Sequence, residues 1–197
     1  MLKYEIVAVS AAQDTDNIAN NVTAASGVAF TLITDETSDG LAHKLIITPS
    51  GSVTGNYTIT GLDADGTAQS ETLATNTTNA VTSVKHYATS IVVTAPAGLG
   101  AETVDIGWTA ASQTGMIHPR LSTAPAFNLG FGCSVEAGTP TYTVTHTYNG
   151  TTWYDHATVA AETTSQEGAY TSPVAGIRLT FTAAGSVTLT GYQVEGR

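Results

Sequence analysis

The sequence predicts an all-β protein built from two small antiparallel β-sandwich modules of the immunoglobulin-like or jelly-roll-like kind. Apolar and polar residues alternate with a period of two in many short runs, and no helical stripe persists for long. Hydrophobic residues make up 42% of the chain and charged residues 11%, and the remainder is rich in Thr, Ser, Gly and Asn, the residues of strand faces and turns. Turn sequences separate the runs at short intervals, which is typical of sandwiches rather than of an α/β scaffold.

Residues 1–110 are predicted to form the first module. Its strand candidates are the alternating runs Lys3–Val9, Val28–Thr34, Ala42–Thr48, Gly55–Thr60, Ala68–Ala74, Val84–Thr94 and Glu102–Trp108. The clearest unit is a hairpin over Asn56–Leu73, because Asp63-Ala64-Asp65-Gly66 separates two alternating runs and its glycine can adopt the positive φ of a hairpin turn. Ser10–Gly27 has no clear period and is expected to be an extended arm or a long loop.

A linker over residues 111–126 is predicted to join the two modules. Alternation is lost from Thr109 onward, and Pro119 and Pro125 exclude a central strand. The second module is predicted over residues 127–197. Its strand candidates are Phe127–Val135, Thr139–His146, Thr152–Tyr154, Val174–Thr182 and Ser186–Val194, with turns at Glu136–Gly138, Tyr148–Gly150 and Ala183–Gly185.

The chain carries a formal charge of −10, and its acidity lies mainly in residues 1–110, where 3 lysines stand against 11 acidic residues. Six scattered basic residues do not provide the clustered cations that broad contact with nucleic acid requires. Cys133 is the only cysteine, so no disulfide can form within the chain. We expect a soluble, unsecreted protein without membrane contact, because the start lacks a signal-peptide pattern and no apolar run approaches the roughly 20 residues of a membrane span.

The side chains that could act as nucleophiles, acids, bases or metal ligands form no catalytic pattern. We therefore expect neither an enzyme nor a bound cofactor. Cys133 lies in the apolar, strand-like run Gly130–Val135, which predicts a buried and inert thiol. His146 and His156, with Asp155 adjacent, could converge on a metal ion across a hairpin, but cross-strand hydrogen bonding is the commoner role of such histidines. A hydrolase with paired carboxylates stays open, because the fold sets the separation of two carboxylates.

Two further groups of residues have alternative interpretations. Asp63 and Asp65 match the opening of a calcium-binding loop, but the remaining EF-hand ligands are absent at the expected spacing, so a metal-free turn is favoured. Trp108, Trp153 and Tyr154 are candidate aromatic anchors. Aromatic residues are only 7% of the chain, which favours a core or interface role for these three over stacking on sugars.

Two stretches resemble β-modules found in the structural proteins of tailed bacteriophages. The C-terminal likeness is carried by the segments Cys133–Tyr148, Thr152–His156, Ser172–Leu179 and Gly185–Thr190. The N-terminal likeness is carried by the hairpin Ile59–Leu73 and the following Val81–Tyr87. Together they cover about residues 55–108 and 127–195, and neither contains a catalytic signature.

The resemblance implies a non-enzymatic component of the virion, assembled in the host cytoplasm. The first expectation is a capsid cement or decoration protein that bridges neighbouring major capsid subunits as a closed homo-oligomer, with a trimer favoured. Modules of this type are reused at several positions in phage particles, so a neck, tail or fibre protein is an alternative. A carbohydrate-binding or adhesive module is the alternative from another class.

Overall fold

The computed structural model describes residues 1–75, 78–121 and 127–193, and within them all regular structure is β, with no helix. The strands are β1 (Leu2–Ser10), β2 (Asp14–Val22), β3 (Ala42–Pro49), β4 (Gly55–Leu62), β5 (Ala68–Thr75), β6 (Val81–Tyr87), β7 (Thr89–Thr94), β8 (Val104–Gln113), β9 (Leu129–Thr147), β10 (Trp153–Asp155), β11 (Gln166–Tyr170) and β12 (Gly176–Gln193). They pair in antiparallel fashion, so the predicted all-β class is confirmed. The chain forms two compact units: a central unit, Ala12–Ser112, and a terminal unit, which combines Met1–Ala11 with Gln113–Arg197.

The central unit contains two sheets that share one core. In the first sheet β8 lies between β2 and β3, and β6 pairs with the other edge of β3. In the second sheet β4 lies between β5 and β7. Both sheets contribute buried side chains to one hydrophobic cluster, which includes Ile18, Leu45, Ile47, Tyr57, Ile59, Ile91, Val93, Val104, Ile106 and Trp108. The alternation that predicts these strands therefore reflects side chains that point into a common core.

The hairpin predicted around Asp63 is confirmed, since β4 and β5 pair along their whole length. The Asp63 carboxylate accepts hydrogen bonds from the amides of Asp65 (2.9 Å) and Thr67 (2.8 Å). Gly66 has a φ of +74°, a conformation that most side chains disfavour. The sequence signal works here because the turn is stabilised by residues next to each other in the chain.

The beginning of the central unit differs from the prediction. Val28–Thr34 forms no strand; a single bridge joins Ala29 to Thr94, and Phe30 packs in the hydrophobic core. The stretch expected to be an arm or loop contains β2, which pairs with β8 in an irregular register. Gly107 permits this close approach, because an added Cβ there would lie 2.0 Å from the carbonyl oxygen of Asp14. Irregular pairing leaves no period in the sequence, which is why the alternation does not reveal β2.

The run Val84–Thr94 is predicted as one strand but is divided at Ala88. β6 belongs to the sheet of β3, whereas β7 belongs to the sheet of β4. The Ala88 amide donates a hydrogen bond to the carbonyl of Leu62 (2.8 Å), and Ser90 has a φ of +53°. The change of sheet is therefore set by backbone geometry and by a distant partner strand.

In the terminal unit, β12 lies between β1 and β9. The expected first module includes residues 1–11, whereas in the structure β1 pairs with the second half of β12, from Leu2 opposite Gln193 to Ser10 opposite Gly185. Residues 2–10 and 185–193 thus share one sheet. No local pattern reveals this pairing, because the partners lie at opposite ends of the sequence.

β9 and β12 each continue through a segment that is predicted as a turn. Glu136–Gly138 and Ala183–Gly185 are instead irregularities in the ladder, where Gly138 pairs with Gly185 and the register shifts. Gly138 has a φ of +74°, and a Cβ on Gly185 would come within 2.6 Å of the Pro140 ring. Glycine-rich bulges of this kind interrupt a ladder without ending the strand, and in sequence they look like turns.

The other edge of β9 carries two short strands. β10 lies opposite Thr145–Thr147, and β11 lies opposite Leu129–Cys133. The sequence prediction omits β11. The predicted linker, residues 111–126, overlaps the end of a strand, because β8 continues to Gln113. Residues 122–126 of the predicted linker lie outside the described residues.

Candidate functional site

Two residues singled out in the sequence are parts of a core. Trp108 is 2% exposed, and its indole Nε1 donates a hydrogen bond to the carbonyl of Ala12 (3.2 Å). Cys133 is buried as predicted, and burial raises the pKa of its thiol to about 12. Trp108 therefore has no face available for stacking on a sugar, and Cys133 lacks the exposed thiolate that a nucleophile needs.

The candidate cation ligands lie in two separate places. Asp63 caps the hairpin turn, and one of its carboxylate oxygens already accepts two backbone amides. His146 and His156 each contact the ring of Tyr170, with centroid distances of 5.1 and 5.0 Å. Across the described ranges, no group of three or more His, Cys, Asp or Glu side chains is arranged to hold a metal ion.

The terminal unit carries a contiguous group of six rings, which we call the aromatic cluster: Phe131, His146, Tyr148, Tyr154, His156 and Tyr170. Centroids of neighbouring rings lie 5.0 to 5.9 Å apart, within the range of favourable aromatic packing. Phe131, His156 and Tyr170 are buried, whereas Tyr154 and Tyr148 are 51% and 57% exposed. The cluster therefore connects the interior of the unit to its surface.

Strand register positions the exposed part of the aromatic cluster. Tyr154 of β10 lies directly opposite His146 of β9, and Tyr148 follows His146 by two residues, so the three side chains share a face of the sheet. The turn after Tyr148 is held by the side-chain oxygens of Thr147 and Asn149, which accept hydrogen bonds from backbone amides at 2.8 to 3.3 Å. The surface tyrosines are thus placed by ordered backbone.

The buried part is positioned by β11 and by the segment after β10. Tyr170 is the last residue of β11 and lies opposite Leu129. The His156 amide donates to the carbonyl of Val144 (2.8 Å), and Val159 bridges back to His156. Residues distant in sequence are therefore brought together around one ring, that of Tyr170.

A pocket of about 260 Å³ opens beside the aromatic cluster. Its lining includes His146, Tyr148, Asp155, Tyr170, Thr171 and Ser172. Two polar atoms of this lining, the Nδ1 of His146 and the hydroxyl oxygen of Tyr170, are buried and make no hydrogen bond. A buried polar atom without a partner costs about 1–3 kcal/mol, so both atoms would gain from a ligand that offers hydrogen bonds.

Burial also favours the uncharged forms of two lining side chains, His146 and Tyr170. It lowers the pKa of His146 from its ordinary 6.5, and the neighbouring His156 acts in the same direction while Asp155 opposes it. Burial raises the pKa of the Tyr170 hydroxyl. Near pH 7 both side chains are therefore neutral hydrogen-bonding groups.

No protein-family model matches this chain, and no curated protein matches it. Among the residues that the structure covers, none belongs to a helix able to cross a membrane.

Trp153 and Tyr154, adjacent in β10, have different surroundings. The Arg178 guanidinium carbon lies 3.7 Å from the centroid of the Trp153 ring, a cation–π contact, while Tyr154 joins the aromatic cluster. Of the three aromatic anchors predicted from sequence, Tyr154 alone belongs to the cluster. Tyr148 could have been found from its two-residue spacing to His146, whereas Tyr170 lies in the strand that the prediction omits.

A second recess, of about 450 Å³, lies on the central unit beside β2. The amide groups that line it are already bonded to nearby carboxylates, Asn17 to Asp14 (3.3 Å) and Asn20 to Asp16 (2.6 Å). Because these groups have local partners, the recess offers less to a ligand than the pocket of the terminal unit.

Proposed function

We propose that this protein is a non-enzymatic structural component of a tailed-bacteriophage particle, and that it acts as a capsid cement protein bridging neighbouring major capsid subunits. In this role it resides in the virion and forms a closed homo-oligomer, with a trimer favoured. Each compact unit then serves as a small β-sandwich module on the particle surface.

The observation that carries the proposal is the edge strand β1. In the part of the chain that the structure describes, β1 pairs with β12 and with no other strand. Natural proteins protect long edge strands with charges, prolines or bulges, because such edges promote association with other chains. The first half of β1 has an ion pair between Lys3 and Glu5 (2.9 Å), but the second half exposes Val7 and Val9 at 67% and 58%. Exposed valines on such a strand are suited to an interface within an assembly.

The resemblance to phage β-modules supports the same role. Its C-terminal segments lie on β9, β10 and β12, which are neighbours in one sheet. Its N-terminal segments lie on β4, β5 and β6 of the central unit. The likeness therefore falls mainly on strands rather than on loops.

The charge of the chain favours attachment through apolar contacts and strand pairing. A net charge of −10 would repel an acidic capsid surface. We expect the protein to stay bound when salt is raised from about 0.1 M to 1 M, which shortens the Debye length from roughly 10 Å to 3 Å. Release by salt alone would instead indicate ionic docking through acidic residues such as Asp35, Glu36 and Asp39.

Co-sedimentation of the purified protein with phage particles that lack it tests the proposal. The wild type should pellet with the particles, and the double variant Val7→Asp with Val9→Asp should not, because two charges would have to be buried in the interface. Val84→Asp is the matched control, since Val84 is 76% exposed on β6 of the other unit. Failure of the wild-type protein to co-sediment, together with antibodies that never label particles, would rule the proposal out.

The alternatives within the particle are separated by position. Antibody labelling in electron microscopy should mark the capsid surface if the protein is a cement protein. Label at the neck, tail or fibres would assign it to one of those structures instead. Light scattering of the purified protein measures the oligomeric state in parallel.

A further inference from the structure

We propose that the pocket lined by His146, Tyr148, Asp155 and Tyr170 binds a single carbohydrate ring. The inference concerns the terminal unit alone and does not depend on the role of the protein in a particle. Four features of the pocket argue for this ligand: its volume, its unpartnered polar atoms, its carboxylate and its aromatic wall.

The volume limits the size of the ligand. Drug-sized molecules occupy pockets of about 300–1,000 Å³, and this pocket measures about 260 Å³. It therefore accommodates one small ring rather than an extended chain. A longer oligosaccharide would continue outward, where Thr171 and Ser172 provide exposed hydroxyls at the pocket's edge.

The polar atoms of the pocket match a ligand that bears several hydroxyls. The His146 Nδ1 and the Tyr170 hydroxyl are both buried without a hydrogen-bond partner. The Tyr170 side chain is 7% exposed, and its ring packs against both histidines. A hydroxyl can donate or accept, so it satisfies either tautomer of a neutral histidine and either role of a tyrosine. The exposed Asp155 carboxylate adds an acceptor, as sugar hydroxyls require.

The aromatic wall supplies the apolar surface that a sugar ring also needs. Tyr148 lines the pocket and is 57% exposed, and its ring is supported from behind by His146 (5.3 Å) and Tyr154 (5.9 Å). A supported, half-exposed ring is a rigid surface with little rotational freedom to lose on binding. An organic cation is the competing ligand, because tyrosine faces and one carboxylate also suit it. Such a cation cannot accept a hydrogen bond. It would therefore leave His146 unsatisfied in the neutral tautomer that carries its proton on Nδ1.

Ligand-observed NMR on the isolated full-length chain tests this inference. The probes are the methyl glycosides of glucose, galactose, mannose and N-acetylglucosamine, with tetramethylammonium as the competing probe. We expect at least one glycoside to bind with a Kd on the order of 1 mM, as for a small ring held by a few hydrogen bonds. Tyr148→Ala should weaken this binding by about tenfold or more, and Tyr170→Phe by about tenfold, the equivalent of one lost hydrogen bond.

Tyr192→Ala is the matched control, because Tyr192 is 48% exposed on β12 of the same unit and does not line the pocket. It should bind the glycoside as the wild type does. Tyr170→Phe keeps the ring and removes only the hydroxyl, so it tests the inference even if Tyr148→Ala disturbs folding. The inference is wrong if no glycoside binds at 20 times the expected Kd, roughly 20 mM. It is also wrong if Tyr170→Phe binds as tightly as the wild type, or if tetramethylammonium alone binds.

Discussion

Tyr57 of the central unit and Tyr170 of the terminal unit both have a buried hydroxyl without a hydrogen-bond partner, but their surroundings differ. Tyr57 is fully buried in the cluster to which both sheets contribute, whereas Tyr170 lines an open pocket beside half-exposed tyrosines. An unpartnered hydroxyl inside a closed core only weakens folding, while one at an open pocket can be satisfied by a ligand. The comparison separates a hydroxyl enclosed in a core from one beside a pocket, where the proposed ligand would satisfy it.

The largest expected effect is that of a truncation in the central core. Ile59→Ala should lower the free energy of unfolding by about 2–5 kcal/mol, because Ile59 is 0% exposed within the shared cluster and its removal leaves a cavity. Tyr148→Ala should change this free energy by less than about 0.5 kcal/mol, since its ring is more than half exposed. Urea denaturation measures both variants. Similar losses of unfolding free energy would contradict the distinction between a side chain enclosed in the core and one that faces the pocket.

A second variant probes how closely the strands of the central unit approach each other. Gly107→Ala should destabilise the protein by about 1–3 kcal/mol, because the new Cβ would lie 2.0 Å from the Asp14 carbonyl oxygen and β2 would have to move. Gly130→Ala on β9 is the matched control, since a Cβ there meets nothing within 4 Å. The two are compared in the same denaturation experiment. A tolerated Gly107→Ala would mean that β2 is not held against β8.

The elements that the sequence predicts are those whose signals are local. The hairpin around Asp63 is correct because turn residues and alternating strands lie next to each other in the chain. β2 is not predicted, because its pairing is irregular and depends on Gly107, far along the chain. The turns predicted at Gly138 and Gly185 are wrong for a related reason: whether a glycine ends a strand or sits in a bulge depends on the partner strand.

The pocket could be predicted only in part. The neighbouring residues His146, Asp155 and His156 are recognisable as a polar group in the sequence, but the signal does not distinguish metal binding from hydrogen bonding. Tyr170 reaches the pocket through β11, whose sequence includes a glycine and two polar residues and lacks a clear alternation. A site assembled from three strands thus depends on pairings that no single segment encodes.

The two unpartnered tyrosine hydroxyls provide a direct test of the comparison. Tyr57→Phe should stabilise the protein by about 1 kcal/mol, because it removes a polar atom that the closed core does not satisfy. Tyr170→Phe should stabilise the ligand-free protein by a similar amount, because its hydroxyl is also buried without a partner, but it should weaken glycoside binding, which Tyr57→Phe should not do. Thermal and urea denaturation of both variants measure the change in the free energy of unfolding. A destabilising Tyr57→Phe would show that its hydroxyl has a partner in the folded protein.

The smallest expected effect is the titration of His146. Its pKa should lie below 6.5, chiefly because burial among Tyr148, Tyr154 and Tyr170 disfavours the charged ring. The unfolded chain then binds this proton at a higher pH than the folded chain does. Stability from this group is therefore complete above about pH 6.5 and is lost as the pH falls toward the folded pKa. NMR titration of the histidine ring measures the value, and Tyr154→Ala should move it back toward 6.5 by admitting water, while Tyr192→Ala should not. A His146 pKa at or above 6.5, or one that Tyr154→Ala leaves unchanged, would contradict this expectation. Either result would mean that the aromatic cluster does not shield His146 from water.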